Sequence, residues 1–359
     1  MSVARLRGIP GFAIDEVAAR AGSDPDVLRM ENLDTDLPPP PAAVAATLAA
    51  AGTDEANSYL PFAGTDDLRG AVAERLSRRT GVRYEPRQVV ITAGGTEGMF
   101  DALLAATDPG DEVILTDPTY AGMTNRVRLA GAVPRLVPFV RDGGEWRLDL
   151  DGVRRAAGPR TRALFIMNPS MPSGAVLTPE AWAEVARICG ERDCWLLYNA
   201  AMERILYDGR EVIHPASLPG MAGRTVVIGS MSKEYRMIGW RVGWVAGPTE
   251  IMADVGRVHL YNVVTPPGLG QRGAVAALRA ADDVPAAVAE WRRRRDTVVA
   301  ELDGLPLTPA AGGWSMLLDV RTMGHDSFAA SRLLLERGQV AATPMRDWGE
   351  TNGDRFVRL

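Results

Sequence analysis

Short runs of almost wholly apolar, β-favouring residues recur along this chain, separated by helical stretches. Val89-Val90-Ile91-Thr92, Glu112-Val113-Ile114-Leu115-Thr116, Arg135-Leu136-Val137-Pro138-Phe139 and Ala163-Leu164-Phe165-Ile166-Met167 read this way. Trp195-Leu196-Leu197-Tyr198, Thr225-Val226-Val227-Ile228 and Val242-Gly243-Trp244-Val245 continue the series. Strands without polar alternation must be covered on both faces, as in a mostly parallel sheet flanked by helices. The predicted fold class is therefore α/β. Polar residues follow several runs directly, as in Ala93-Gly94-Gly95-Thr96 and Asn168-Pro169. The carboxyl edge of such a sheet is where ligands bind.

Between the runs, Met99, Leu103 and Leu104 space as a helix. Thr178-Pro179-Glu180 opens another with a cap, a proline in the first turn and an early acid. From about Val275 to Leu302 the pattern reads as long and helical, with Arg292-Arg293-Arg294-Arg295 inside it. Four such arginines would point in several directions, which predicts a solvated, ion-paired surface and not a nucleic-acid patch. After Pro306 a smaller unit follows: Gly313 to Asp319, a helix around Phe328 to Arg337, and a last strand at Arg355 to Leu359. The Pro38-to-Pro41 run sets off an N-terminal arm.

Lys233 is the only lysine among 40 Lys and Arg residues. Arginine serves for surface charge and ion pairs, but guanidinium stays protonated and forms no Schiff base. One lysine could survive an arginine bias by chance. Its surroundings argue otherwise: Ser230-Met231-Ser232-Lys233 is followed by Gly239-Trp240-Arg241-Val242-Gly243. Hydroxyls, a primary amine and a guanidinium within about a dozen residues suit a phosphorylated aldehyde such as pyridoxal 5'-phosphate.

Bulk properties narrow the field. A chain of 359 residues predicts one large or two intimate domains. A net charge of −5 gives no reason to expect nucleic acid or an anionic membrane as partner. No apolar run approaches the ~20 residues that span a bilayer, and Met1-Ser2-Val3-Ala4-Arg5 lacks the apolar segment of a leader. Cys189 and Cys194 form neither a disulfide framework nor a zinc motif, which predicts a cytoplasmic protein. His214, His259 and His325 stand apart in the sequence, so no metal site is expected.

These residues resemble the aminotransferase class I/II family, the fold-type I pyridoxal-phosphate enzymes, from about Glu31 to Leu359. Ser-x-Ser-Lys-x5-Gly-x-Arg-x-Gly is fairly specific, and more so in order with the other motifs. The resemblance implies a large domain with a mainly parallel, seven-stranded-type sheet and a small α/β domain. It places the N-terminal arm and part of the small domain at 1–44, the cofactor domain at 45–280 and the rest of the small domain at 281–359. It implies pyridoxal 5'-phosphate on Lys233 as a Schiff base, with Ser230, Ser232, Arg241 and the turn Gly94-Gly95-Thr96 at the phosphate. Tyr120 would stack on the ring, while Asn168 and Arg358 would contact the substrate, Arg358 gripping its α-carboxylate. Tyr59, in Tyr59-Leu60-Pro61-Phe62-Ala63-Gly64, would reach the phosphate of a neighbouring subunit, which implies a homodimer. Taken alone, a Gly-Gly turn is more often only a turn, and Tyr59 or Tyr120 only packing.

Three positions depart from the family pattern, all around the cofactor ring. Asn-Pro-x-Asn-Pro-Thr-Gly reads here Asn168-Pro169-Ser170-Met171-Pro172-Ser173-Gly174, so Met171 replaces a donor to the phenolic oxygen. Asp-Glu-x-Tyr-Glu-Arg reads Asn199-Ala200-Ala201-Met202-Glu203-Arg204. Met202 thus replaces a second donor, and Asn199 replaces the carboxylate that pairs with the ring nitrogen. A natural subfamily, an engineered change at 199, or a local shift with Glu203 in the acid's role would each account for this. The chain also stops one residue after Arg358, where family members continue; this predicts a small domain without its final helix. The reaction expected is transamination between an α-amino acid and a 2-oxo acid. Alternatives are another reaction of the same cofactor (racemase, eliminase or lyase, cyclase, oxidase) or a degenerate, non-catalytic binding protein.

Overall fold

The strands, numbered along the chain, are β1 (Leu28–Arg29), β2 (Val89–Thr92), β3 (Glu112–Asp117), β4 (Val133–Asp142), β5 (Glu145–Leu148), β6 (Thr161–Met167) and β7 (Trp195–Asn199). They continue with β8 (Thr225–Ser230), β9 (Gly243–Ala246), β10 (Leu307–Thr308), β11 (Leu317–Asp319), β12 (Val340–Ala341), β13 (Thr343–Pro344) and β14 (Phe356–Arg358). The computed structural model describes residues 3–11, 13–120 and 122–359. Met1 and Ser2, the first residues of the leader reading, lie outside the described residues, as do Phe12 and Ala121.

The central sheet runs β2-β9-β8-β7-β6-β3-β4-β5. β8, β7, β6, β3 and β4 are mutually parallel, and β9 runs against both β2 and β8. The sheet has eight strands where seven were expected. The additional one, β5, pairs antiparallel with β4 through a two-residue turn at Gly143-Gly144. Both glycines have positive φ, 57° and 81°, as the tight hairpin turn that matches strand twist requires. Because β5 has polar residues and only Trp146 fully buried, it lacks the apolar run that marks the inner strands. The edge strand β2 and the inner strands β3, β8 and β9 are buried along their length, which explains their missing polar alternation.

The long helical stretch is two helices, Gly268–Arg279 and Val284–Glu301. Pro285 sits in the first turn of the second. Without an N–H it can open a helix but not continue one. Thr178 caps Pro179–Arg192 by accepting the N–H of Ala181 at 3.2 Å, as the sequence suggested. The arginine run is ion-paired throughout: Arg292 with Asp296, Arg293 and Arg294 with Glu290, and Arg295 with Asp208. Arg295 turns inward, its side chain only 11% exposed, so the expectation of a wholly solvated surface fails at that residue.

Two smaller sheets join the chain ends. β1 lies parallel to β12, and β10-β11-β14-β13 form an antiparallel sheet. β14 is buried and paired on both sides. The hydroxyl of Thr343 donates to the carbonyl of Glu31 at 2.9 Å, fastening the N-terminal arm against this sheet.

Glycines set the closest approach in the central sheet. A Cβ at Gly243 would lie 2.5 Å from the nitrogen of Gly95 and 2.6 Å from the carbonyl carbon of Gly94. These are backbone atoms that cannot rotate away. Gly243→Ala should therefore cost about 1–3 kcal/mol or more by overpacking and lower the denaturant midpoint. An unchanged midpoint would show that the 94–95 turn yields freely.

Candidate active site

Five segments that carry polar chemistry leave the same edge of the sheet. β2 leads into Gly94-Gly95-Thr96, β3 into Tyr120, β6 into Asn168, β7 ends on Asn199, and β8 leads into Ser230 to Lys233. β9 runs the other way, so Arg241, just before it, arrives at that edge too. Parallel strands present their carboxyl ends together, which gathers residues distant in sequence.

At one end is an anion cradle. Gly94 has φ 82° and precedes the helix Gly95–Ala106. A Cβ on it would lie 2.3 Å from Nη2 of Arg241, so only glycine lets that guanidinium lie against the turn. Arg241 Nη1 donates to the carbonyl of Ile238 at 3.0 Å and to Oγ of Ser232 at 3.4 Å. The Ser230 hydroxyl accepts the N–H of Ser232 at 3.1 Å. Thr96 lies in the first turn of the helix, where free N–H groups and the dipole favour an anion.

Beside the cradle stands the lysine. Lys233 Nζ donates to the carbonyl of Leu33 and lies 4.8 Å from the centre of the Trp314 ring. Burial pulls its pKa down to about 8; Asp34 opposes this, and the guanidiniums of Arg358 and Arg241 reinforce it. Desolvation and like charge both disfavour the ammonium form. Near neutrality a useful fraction of the amine is therefore free to act as nucleophile or base.

Arg358 is 1% exposed. Its Nη2 donates to the Glu31 carbonyl and to the Thr343 hydroxyl at 3.1 Å, and its plane lies 4.9 Å from the Trp348 ring centre. Nη1 is buried without a partner. A buried guanidinium edge with no acceptor calls for an anionic ligand. Burial pulls its pKa down to about 10, against Glu31 and Tyr120, so it remains charged near neutral pH.

The remaining candidates divide. Tyr120 is half-buried, with Arg126 6.0 Å from its ring centre. Met171 and Met202 are both 1% exposed and bring no donor. Asn199 is buried at the end of β7. The Oδ1 of Asn168 accepts the N–H of Leu177 at 2.8 Å, binding the loop it belongs to. Tyr59 is 82% exposed. Glu203 accepts from Arg79 at 3.1 Å; this buried ionic contact leaves position 199, and not 203, at the end of β7. Of the arm residues, Asp34 lies within electrostatic reach of Lys233. Arg29 pairs with Glu31, Asp36 with Arg294, and Arg236 with Asp283.

Sequence spacing conceals one cluster. His259 lies 2.6 Å from Glu97 and 3.6 Å from Asp101, and its other ring nitrogen is 2.9 Å from the Phe62 carbonyl. Ligand atoms of Glu97, Asp101 and His259 fall within 4.8 Å of one another. Burial pulls His259 down, but its bonds to Asp101 and Glu97 outweigh this and raise it to about 9. An imidazolium bridges the Glu97 carboxylate and the Phe62 carbonyl, while Oδ2 of Asp101, 3.6 Å from the ring, is buried without a hydrogen-bond partner. Glu97 also accepts the N–H of Ala93, so the cluster braces the Gly94-Gly95 turn. The only hint in the sequence is the i, i+4 spacing of Glu97 and Asp101 on one helix face.

Two titrations follow. Because Lys233 is the sole lysine, reductive methylation of the cofactor-free protein reports on it alone once the α-amino group is blocked. Its reactivity should be half-maximal near pH 8; a midpoint near ~10.4, as for a free lysine, would refute the buried setting. His259→Asn should cost about 3 kcal/mol near neutrality, since it leaves buried carboxylates uncompensated. A folded pKa of about 9 against a model value of 6.5 means the stabilisation is complete below the lower value and fades as pH rises through the higher. The stability gap between wild type and His259→Asn should narrow over that window. A constant gap would mean a neutral imidazole.

The chain was compared with known proteins. The sequence profile of the family described as aminotransferase class I and II matches residues 27–359. Arginine–pyruvate transaminase of Pseudomonas aeruginosa is 35% identical over 333 residues, covering 91% of this chain and 81% of the relative. A probable N-succinyldiaminopimelate aminotransferase of Mycobacterium tuberculosis is 35% identical over 352 residues, 96% of this chain and 88% of the relative. The solved N-succinyldiaminopimelate aminotransferase from Mycobacterium tuberculosis superposes with a TM-score of 0.95 at 32% identity, over 100% of this chain and 95% of that one. Aspartate aminotransferase from Thermus thermophilus with maleate gives a TM-score of 0.92 at 30% identity, over 100% of this chain and 94% of that one. A cradle that only glycine admits, a lone depressed lysine and a buried arginine edge thus sit on the fold those enzymes share, and the chain belongs to the aminotransferase class I and II family, whose members use pyridoxal phosphate.

Proposed function

We propose that this chain binds pyridoxal 5'-phosphate on Lys233 and transfers the amino group of an α-amino acid to a 2-oxo acid. The observation that carries the reading is Lys233, the sole lysine, with its pKa drawn down to about 8 by burial, Arg358 and Arg241 reinforcing it. The donor set fits the cofactor's phosphate and aldehyde: Gly94 leaves room for Arg241, Ser230 and Thr96 stand at the same turn, and a primary amine lies beside them. When bound, the cofactor supplies an aldehyde that condenses with amines and a ring that withdraws electron density from the substrate.

The chain's own residues would do the rest. Arg241, Ser230, Ser232 and the 94–96 turn hold the phosphate, and the face of Tyr120 covers the ring. Arg358 fixes the substrate carboxylate with the edge that lacks a partner. Lys233, once free as an amine, takes the proton from the substrate α-carbon as a general base and returns it as an acid. A cavity of about 700 Å³ beside Trp314, lined also by Asp34, Trp291 and Tyr207, gives the substrate side chain room. Asn168 is kept as a candidate substrate contact through its amide nitrogen, since its oxygen is engaged.

The same reading makes the protein a homodimer, with Tyr59 reaching the neighbour's phosphate. Its support is a row of exposed apolar residues on neighbouring segments, Tyr59, Phe62 and Tyr261. It divides the chain at 1–44, 45–280 and 281–359. No helix among the described residues is long and apolar enough to cross a membrane, which is compatible with a cytoplasmic enzyme.

Mixing the cofactor-loaded protein with amino acids should convert the bound cofactor to its amine form, seen in the visible spectrum. Amino acid consumed without that conversion would favour another reaction of the cofactor. A protein that takes up no cofactor would be a binding protein only. Arg358→Ala should lower kcat/KM about 10–100-fold, the ~1.5–3 kcal/mol of a hydrogen bond to a charged group. Lys233→Ala should abolish turnover.

A further inference from the structure

The amide of Asn199 is fixed in one orientation by its own backbone. Oδ1 accepts the N–H of Ala201 at 3.0 Å. A backbone N–H can only donate, so the oxygen must occupy that end, and the flipped amide would set donor against donor. The NH2 group therefore faces the other way. There it meets Sδ of Met99 at 3.3 Å, and a thioether is a weak acceptor. Its second hydrogen has no acceptor among the described residues, although Asn199 is only 4% exposed. β7, which it ends, lies between β6 and β8, in the middle of the edge where the site residues gather.

No carboxylate nearby is free to take the opposite role. Glu97 and Asp101 are held by His259, and Asp101 also by Asn262 at 3.0 Å. Glu203 faces Arg79 and Glu234 faces Arg75. The buried Met171 and Met202 offer no donor. The NH2 group of Asn199 and the thioethers of Met171 and Met202 thus bring no negative charge.

We infer that Asn199 donates a hydrogen bond to the pyridine nitrogen of the bound cofactor and so holds that nitrogen unprotonated. A protonated ring nitrogen is itself a donor and would confront the NH2 group; an unprotonated one is the acceptor that the second hydrogen lacks. The inference rests on the cofactor reading above. Its consequence is a ring that withdraws less electron density, so that proton transfer at the substrate depends more on the placement of Lys233.

The test uses the holoprotein loaded with pyridoxal phosphate carrying nitrogen-15 in the ring. Its nitrogen resonance should sit at the unprotonated position and stay there through the neutral pH range. Asn199→Asp should move it to the protonated position, because a close carboxylate raises the pKa of the ring nitrogen by about 1–3 units. A wild-type resonance at the protonated position overturns the inference and leaves the cofactor reading standing. Failure to take up any cofactor, seen as no visible absorbance, overturns both. Should Asn199→Asp not fold, the wild-type resonance alone decides.

Discussion

Backbone-to-backbone contact at three glycines holds the working edge of this protein together. Gly243 opens β9 with no room for a Cβ against Gly94 and Gly95, and Gly94 in turn has none against Arg241. β9 is the one inner strand that runs against its neighbours. Its first residue therefore meets the last residues of β2 and β8 and carries Arg241 to the same place. A side chain at Gly243 would press on backbone that cannot rotate away, and one at Gly94 would displace the Arg241 guanidinium.

Charge is the second constraint. Burial lowers the Lys233 amine to about 8, with the guanidiniums of Arg358 and Arg241 reinforcing it, and burial lowers the Arg358 guanidinium to about 10. Such an arrangement costs stability unless anions enter. On the proposed function, the cofactor's phosphate and the substrate's carboxylate would match the two guanidiniums. The lowered lysine and the orphan Nη1 of Arg358 have the same origin, the burial of positive charge. The excess of arginine elsewhere is ordinary ion pairing, as along the 292–295 run.

Much of the fold was legible because its inner strands are buried on both faces and leave unbroken apolar runs. The edge hairpin β5 was not, since half-exposed strands carry mixed residues and the signal lay in Asp142-Gly143-Gly144-Glu145. The break between the helices at Arg279 and Val284 was blurred because alanines on both sides continue the helical pattern up to Pro285. At the site, Ser230 to Lys233 and Arg241 were legible as a motif, and Gly94 to Thr96 as a turn before a helix. The bracing of that turn by His259 was hidden, because the ring and Glu97 are 162 residues apart.

Sequence alone determined the chemistry available: one lysine amine in the whole chain, hydroxyls beside it, and an amide, not a carboxylate, at position 199. These are matters of residue identity, which folding does not alter. The tertiary structure decided how that chemistry is tuned. It buried Lys233 within electrostatic reach of Arg358 and Arg241, left one edge of Arg358 open, and turned the NH2 of Asn199 toward Met99 by engaging its oxygen on Ala201. Proton affinity and hydrogen-bond direction depend on what surrounds a group in space, and those surroundings come from strands far apart in the chain.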